Sequence, residues 1–357
     1  MPDRSPSDVI KPEVRSLSAY TLKHVKADVK LDQNENPYEL PQELKEEVVR
    51  RVLTRPWGRY PEFVPASTIR ALAKFTGWTE DGILIGNGSN ELIMAGLSVI
   101  LGTGKKAVIP QPTFTLYKLL SSVFQSNAVS VPLKADFTFD VDALVEASRD
   151  AAVTVICSPN NPTGTLLETD ALKRILKMTN GLVFLDEAYH EFSGQTALKI
   201  LPASPNLIVL RTFSKAMSMA GLRFGYMMAH PEIAKEIHKA KLPYNVNIFT
   251  LTAAELVLER PGMLRDAIQT LVAERQRLIT EVRKRPGVEA FDSCANFFLM
   301  RTPRNARDLF EALYAQGVLV RDVSSYPMLE RVLRVSAGTP QENDRFLSAL
   351  DKSLETT

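Results

Sequence analysis

The sequence predicts an α/β fold in which a large domain with a mainly parallel central sheet is joined by a smaller α/β domain built from both termini. Three observations predict it. Short apolar, β-branched runs recur at 83–85, 107–109, 129–131, 153–156, 182–185, 207–210 and 224–228, several separated by helix-like stretches. That alternation is the pattern of a doubly wound parallel sheet, whose strands are buried on both faces. The chain has 357 residues, beyond the size at which a single core stops growing, so two domains are expected. The texture also changes at both ends. Residues 1–40 are irregular and contain proline, and from about Thr250 long amphipathic stretches precede strand-like runs near 297–300, 318–321 and 332–335. The expected division is an N-terminal segment, 1–40, belonging to the small domain, a large domain, 41–249, and the rest of the small domain, 250–357.

Composition narrows the function classes. With 45% hydrophobic and 24% charged residues, the chain can bury a sizeable core and is not a disordered polymer. Its net charge of +2 provides no broad field for nucleic acid or an anionic membrane, so any anion must be bound locally. Two cysteines, Cys157 and Cys294, allow at most one bridge, and Cys157 lies in an apolar run, which points to a reduced, cytoplasmic setting. The opening MPDRSPSDVI lacks the apolar core of a signal peptide, and the longest apolar stretch, 92–101, is half of the roughly 20 residues of a membrane span. His24, His190, His230 and His238 form no recognisable ligand set, so no metal is expected, and the role of His190 is open.

The most informative segment is Leu207-Ile-Val-Leu-Arg-Thr-Phe-Ser-Lys-Ala-Met-Ser-Met-Ala-Gly-Leu-Arg223, an apolar run that ends in a hydroxyl-rich turn around Lys215. A lysine forms an imine at neutral pH only when its amine is unprotonated, which takes desolvation or a neighbouring cation. The apolar strand end and Arg223 supply one of each. Taken alone, Ser-Lys is simply a solvated lysine in a loop. Upstream, Val183-Phe-Leu-Asp-Glu-Ala-Tyr189 puts Asp186 at the carboxyl end of an apolar strand, the edge at which open α/β sheets bind ligands. A carboxylate there suits a protonated pyridine nitrogen, with Tyr189 as a hydroxyl donor three residues on. Asp-Glu-Ala-Tyr reads equally as an acidic helix start. Ser158-Pro-Asn-Asn-Pro-Thr-Gly164 follows another buried run and presents Asn161 on a loop stiffened by two prolines. Gly86-Asn-Gly-Ser-Asn90 stands between a strand and an amphipathic stretch, where backbone N–H groups at a helix start can cradle phosphate, although an ordinary turn has the same composition.

In order and spacing these segments resemble the pyridoxal-5′-phosphate (PLP) aminotransferases of the aspartate aminotransferase fold, and among them the histidinol-phosphate aminotransferases. The resemblance runs from Leu31-Asp-Gln-Asn-Glu-Asn-Pro-Tyr38 through Arg59-Tyr-Pro-Glu62, Pro112-Thr-Phe114 and the motifs above to Leu333-Arg-Val-Ser-Ala-Gly-Thr339. It implies the PLP-dependent transferase fold, with Lys215 as Schiff-base lysine and general acid/base, Asp186 on the pyridine nitrogen, and Asn161 and Tyr189 on the phenolic oxygen. Gly88, Ser89, Asn90, Thr212, Ser214 and Arg223 would hold the phosphate, and Phe114 would stack on the ring where tyrosine is common. The implied reaction is amino transfer from histidinol phosphate to 2-oxoglutarate in histidine biosynthesis. An aromatic amino-acid aminotransferase is the alternative, with a threonine-phosphate decarboxylase or a non-catalytic PLP-fold module more distant.

For substrate, Arg334 resembles the family arginine that grips a carboxylate in a bidentate fork, and Arg321 would be a second cation for a distal phosphate or γ-carboxylate. Tyr20 and Tyr244 would flank an imidazole; as bare residues all four read equally as surface charges or as rim and core aromatics. The resemblance further implies a homodimer with shared active sites, in which Tyr60 acts on the phosphate bound by the other subunit. No nucleic acid or membrane is expected as a partner.

Overall fold

A computed structural model describes residues 5–17 and 26–355. Thirteen strands occur among them. Labelled in chain order, they are β1 Val29–Lys30, β2 Ile83–Asn87, β3 Lys106–Gln111, β4 Asn127–Pro132, β5 Val153–Cys157, β6 Leu182–Asp186, β7 Leu207–Thr212, β8 Phe224–Met228, β9 Glu289–Ala290, β10 Phe297–Arg301, β11 Val318–Leu319, β12 Arg321–Asp322 and β13 Val332–Ser336.

The seven apolar runs of the middle of the chain form one sheet in the order β2-β8-β7-β6-β5-β3-β4. All neighbours are parallel except β8, which runs antiparallel to both β2 and β7. Every residue of β5 and β7 is buried, because helices cover both faces; this is why the runs are continuous rather than alternating. Helix Thr169–Met178 covers one of them with Leu172, Ile175 and Leu176 turned inward at helical spacing. Helix Ile248–Glu259 packs on helices Gln42–Leu53 and Ala66–Thr76, and its Leu251, Ala253, Ala254, Leu256 and Val257 join the core beneath the large sheet.

A second sheet, antiparallel in the order β12-β13-β10-β9, follows helix Arg265–Val282. The N-terminal segment is laced into it: β1 pairs in parallel with β11, Leu31 N–H donates to Leu319 O at 2.7 Å, and Ser336 N–H donates to Leu31 O at 3.0 Å. Val29 and Leu31 share a core with Phe297, Leu333 and Phe346, so the two ends of the chain bury one apolar cluster. The run expected at 318–321 divides in two. β11 pairs with β1 and β12 with β13, so the chain changes partner at Val320 and no single ladder spans it. No helix among the described residues is long and apolar enough to cross a membrane.

The antiparallel strand positions the site. Cys157, Asp186 and Leu210 lie in register across β5, β6 and β7, so the loops after these strands leave the sheet at one edge. Since β8 runs the other way, its start lies at that same edge, with Phe224 opposite Asn87 and Gly225 opposite both Gly86 and Thr212. Arg223, just before β8, is thereby carried to the ends of β2 and β7.

Candidate active site

A cavity of about 400 Å³ opens between this edge and the strand β12 side of the second sheet. Lys215, Asp186, Tyr189, Asn161 and Phe114 all line it, as do Ser89, Asn90, Thr212, Ser214 and Arg223 from the large sheet's edge and Arg321 and Arg334 from the second sheet.

Lys215 Nζ donates to Gln33 O at 2.8 Å. Burial is the main cause that draws its amine down to about 8; Arg334, Arg223 and Lys30 add to this, and Glu35 opposes it. The anticipated cation, Arg223, therefore acts behind Arg334. At pH 7 an amine with that pKa is unprotonated about a tenth of the time, against about one part in 3,000 for an ordinary lysine.

Asp186 is buried at the cavity wall. Its Oδ2 accepts from the Tyr117 hydroxyl at 2.7 Å and its Oδ1 from Ala188 N–H at 3.0 Å. Burial raises its pKa, and the Tyr117 and Ala188 hydrogen bonds oppose that rise by stabilising the carboxylate. The next residue points the other way, as a strand pleat requires: Glu187 forms a buried pair with Arg211, Nη2 to Oε2 2.9 Å. Phe114 meets Tyr117 edge-on, with ring centroids 5.6 Å apart.

Asn161 and Tyr189 are each oriented by a partner from outside the large sheet. Arg334 Nη1 donates to Asn161 Oδ1 at 2.6 Å, and Arg334 Nη2 donates to Asp32 O at 2.6 Å. With its carboxamide oxygen committed, Asn161 offers only N–H donors on its opposite side. Tyr189 Oη accepts from Asn34 Nδ2 at 3.0 Å. The loop that carries Asn161 is held at Gly164, which has φ +76°, and where a Cβ would lie 2.1 Å from Ser293 Oγ.

At the large sheet's edge, Gly88 caps helix Ser89–Ile100 with φ +77°, and a Cβ there would lie 2.3 Å from Arg223 Nη2. Only glycine combines that conformation with so close an approach. Arg223 Nη1 donates to Ser214 Oγ at 3.1 Å, and Thr212 Oγ1 accepts from Ser214 N–H at 3.1 Å. Helix-start N–H groups, two hydroxyls and a guanidinium converge there, a set of donors matched to a phosphate dianion. The whole arrangement fits PLP, with a phosphate cradle at one end, a flat ring position beside Phe114, a carboxylate for the ring nitrogen, and a lysine with an accessible neutral form.

The model of one protein family, aminotransferase class I and II, matches residues 26–350. The chain belongs to the class I and II aminotransferases. It is 40% identical over 348 residues to the histidinol-phosphate aminotransferase of Chlorobaculum tepidum, a match covering 96% of this chain and 100% of that protein. It is 40% identical over 345 residues to the histidinol-phosphate aminotransferase of Chlorobium phaeovibrioides, covering 96% of each. The solved histidinol-phosphate aminotransferase of Sinorhizobium meliloti, in complex with pyridoxal-5′-phosphate, has the same fold, with a TM-score of 0.86 and 22% identity over 98% of each chain.

Other expected residues of this aminotransferase lie elsewhere. Tyr60 and Tyr244 do not line the cavity of their own chain; they are 81% and 41% exposed and stack on each other with centroids 4.5 Å apart. Tyr20 lies outside the described residues. His190 Nδ1 sits 3.0 Å from Glu187 O and 3.1 Å from Glu191 Oε2, away from the cavity lining. Among the described residues no group of three or more His, Cys, Asp and Glu side chains is placed to hold a metal.

Sequence reasoning missed Asn34, Tyr117, Tyr326 and the carbonyl of Asp32. Tyr117 had a signal, an aromatic nearly one helical turn beyond Phe114 of the Pro-Thr-Phe motif. Tyr326 had none.

Proposed function

We propose that this aminotransferase binds PLP through Lys215 and moves the amino group of histidinol phosphate to 2-oxoglutarate, as a cytoplasmic homodimer. The observation that carries the substrate is the full-length 40% identity to relatives that bear that name. Two guanidiniums that the second sheet brings to the cavity, Arg321 and Arg334, agree with it, since each of the two substrates carries an anion beyond its reacting carbon. PLP, when bound, supplies an electron sink for the negative charge left as the substrate carbon loses its proton.

The chain's residues do the rest. Lys215 would hold PLP, and its neutral Nζ, beside the reacting atoms, would take the proton from the amino-bearing carbon and deliver it on the other side of the nitrogen. Asp186 would hold the ring nitrogen protonated through a charge-assisted hydrogen bond. Asn161 N–H and Tyr189 O–H would bond to the ring oxygen, and Phe114 would stack on the ring. Ser89, Asn90, Thr212, Ser214, Arg223 and the Gly88 turn anchor the phosphate, and Arg334 and Arg321 orient the substrate's anion.

The test supplies purified enzyme with histidinol phosphate, phenylalanine, tyrosine or threonine phosphate, each with and without 2-oxoglutarate, and measures glutamate and carbon dioxide. Glutamate formed fastest from histidinol phosphate is the expected result; faster turnover of phenylalanine, or release of carbon dioxide from threonine phosphate, rejects the assignment. In the same assay Arg321→Ala should raise KM for histidinol phosphate or 2-oxoglutarate about tenfold to a hundredfold, the cost of losing one charged hydrogen-bond partner, with PLP content unchanged. Unaltered KM for both substrates would remove Arg321 from the site.

The dimer is supported by the surface around Tyr60. Phe63 packs edge-on against Tyr244, and Trp57 and Leu242 are also more than half exposed, an apolar patch of the kind that subunit interfaces cover. Tyr60 of the partner subunit would then reach the phosphate end of each site. Tyr60→Ala and Lys215→Ala, each impaired alone at limiting PLP, should complement when co-expressed. Random 1:1 assembly leaves about a quarter of sites intact in a closed two-fold pair. Activity no greater than the mean of the two single variants would show that Tyr60 does not act across subunits.

A further inference from the structure

The Tyr189 hydroxyl can donate a hydrogen bond into the cavity or accept one from it, and the direction is decided by Asn34, to which the sequence assigned no role. Asn34 N–H donates to Ser336 Oγ at 3.0 Å, and the same Oγ lies 2.9 Å from Asn34 Oδ1. With the backbone N–H directed at its lone pair, the serine proton is the one that bridges to Oδ1. This orients the amide, with Oδ1 toward Ser336 and Nδ2 toward Tyr189 Oη at 3.0 Å. An amide nitrogen only donates, so the phenol oxygen accepts and its single proton must point elsewhere, toward the cavity that Tyr189 and Asn34 both line. The opposite amide orientation would capture that proton and present a lone pair to the ligand.

The frame around Asn34 is rigid. Its φ is +55°, a left-handed conformation that asparagine tolerates better than most residues, and its carbonyl accepts from Asn296 Nδ2 at 3.0 Å. Asn34, Ser336 and Asn296 are all almost fully buried, so water does not offer the amide an alternative partner.

We propose that Asn34 is a positioning residue that, bonded to Ser336 on one side and Tyr189 on the other, holds the Tyr189 hydroxyl as a donor toward the ring oxygen of bound PLP. This rests on the reading of Tyr189 given above. The charged and titratable groups that act on the phenol are Arg334, Cys157 and Asp186, all unaltered in the variants that test it.

The test titrates the near-visible absorption band of the PLP-loaded protein against pH. A donor bond to the ring oxygen stabilises its anionic form, so losing the donor makes deprotonation harder and moves the midpoint upward. Tyr189→Phe should raise the midpoint by about one unit, roughly tenfold in proton affinity. Asn34→Asp reverses the polarity of the amide and adds a charge. Its shift should be larger in the otherwise intact protein than in the Tyr189→Phe background, by the size of the Tyr189→Phe shift, because the charge acts in both backgrounds and the captured proton in only one. Asn34→Leu, which is uncharged, should shift the midpoint upward when Tyr189 is present and leave it in place when Tyr189→Phe has already removed the hydroxyl. Equal shifts in the two backgrounds for both Asn34 variants would overturn the proposal, and if Asn34→Asp does not fold, the Asn34→Leu pair decides alone. No shift for Tyr189→Phe itself would instead overturn the assignment of Tyr189 to the ring oxygen, a distinguishable failure.

Discussion

Lys215→Ala should remove the near-visible band that covalent capture by lysine gives the PLP-loaded protein, leaving only that of the free aldehyde, and lower turnover by at least about 10⁴-fold, the upper range for one positioned acid–base group. The size of the effect follows from two tasks that meet on one nitrogen, covalent capture of the cofactor and proton transfer at the substrate carbon. Both need the neutral amine, whose pKa of about 8 is set chiefly by burial and then by Arg334. Stopped-flow capture of PLP by the cofactor-free protein should therefore quicken about tenfold per pH unit and level off near pH 8. Arg334→Ala removes a neighbouring cation, which raises the amine pKa and moves that break to higher pH. The sign for stability is fixed by the same displacement. The folded-state pKa lies below the ordinary value of 10.5, so the unfolded chain binds more protons between the two, and the cofactor-free fold gains stability as pH rises from about 8 to 10.5. Survival of the lysine-capture band in Lys215→Ala, or a capture rate that still climbs tenfold per unit well above the break, contradicts the role given to this residue.

Asp186→Ala should lower kcat by about 10²–10³-fold, the usual loss when a preorganised electrostatic partner of the reacting system is removed. Asp186 is buried with two donors on its carboxylate, Tyr117 O–H and Ala188 N–H, and both favour the ionised form against the cost of burial. A cationic ring nitrogen opposite it gains a charge-assisted hydrogen bond; without it the ring loses its proton and with it the capacity to accept electrons. Tyr117→Phe removes one of the two donors, which raises the Asp186 pKa further, and should fall between the intact protein and Asp186→Ala. Steady-state kcat with PLP content measured alongside separates lost chemistry from lost cofactor. An Asp186→Ala protein that keeps PLP and loses almost none of its kcat would show that the carboxylate does not face the ring nitrogen.

The interior strands of the large sheet were legible because strands buried on both faces must be apolar throughout, and the edge strand β4, where only Val131 is buried, showed itself by its two valines; each run from 83–85 to 224–228 became one of β2 to β8. The charged and polar groups that end such runs were legible for the complementary reason. A lysine at 215, an aspartate at 186 or an arginine at 223 next to a buried strand needs a partner or a ligand to offset its desolvation. Asn34, Ser336 and Tyr117 lie in or beside the quoted motifs, but nothing in the sequence shows what they contact. Asn34 and Ser336 are 302 residues apart and Tyr117 and Asp186 are 69 apart, so their pairing depends on how distant segments pack and not on any local pattern.

By itself, then, the sequence determined the seven strands of the large sheet and its mainly parallel order, and it singled out the lysine, the acid and the arginines as candidates. Tertiary structure decided which of them meet. The reversed direction of β8 carries Arg223 to Gly88 and Ser214, and the lacing of residues 29–31 between β11 and the end of β13 brings Asp32 and Asn34 onto Arg334 and Tyr189. The pleat of β6 and the chain beyond it separates two adjacent acids, turning Asp186 to the cavity and Glu187 to Arg211. Successive side chains of a strand point to opposite faces, and only the packing of the whole sheet makes one of those faces an active site.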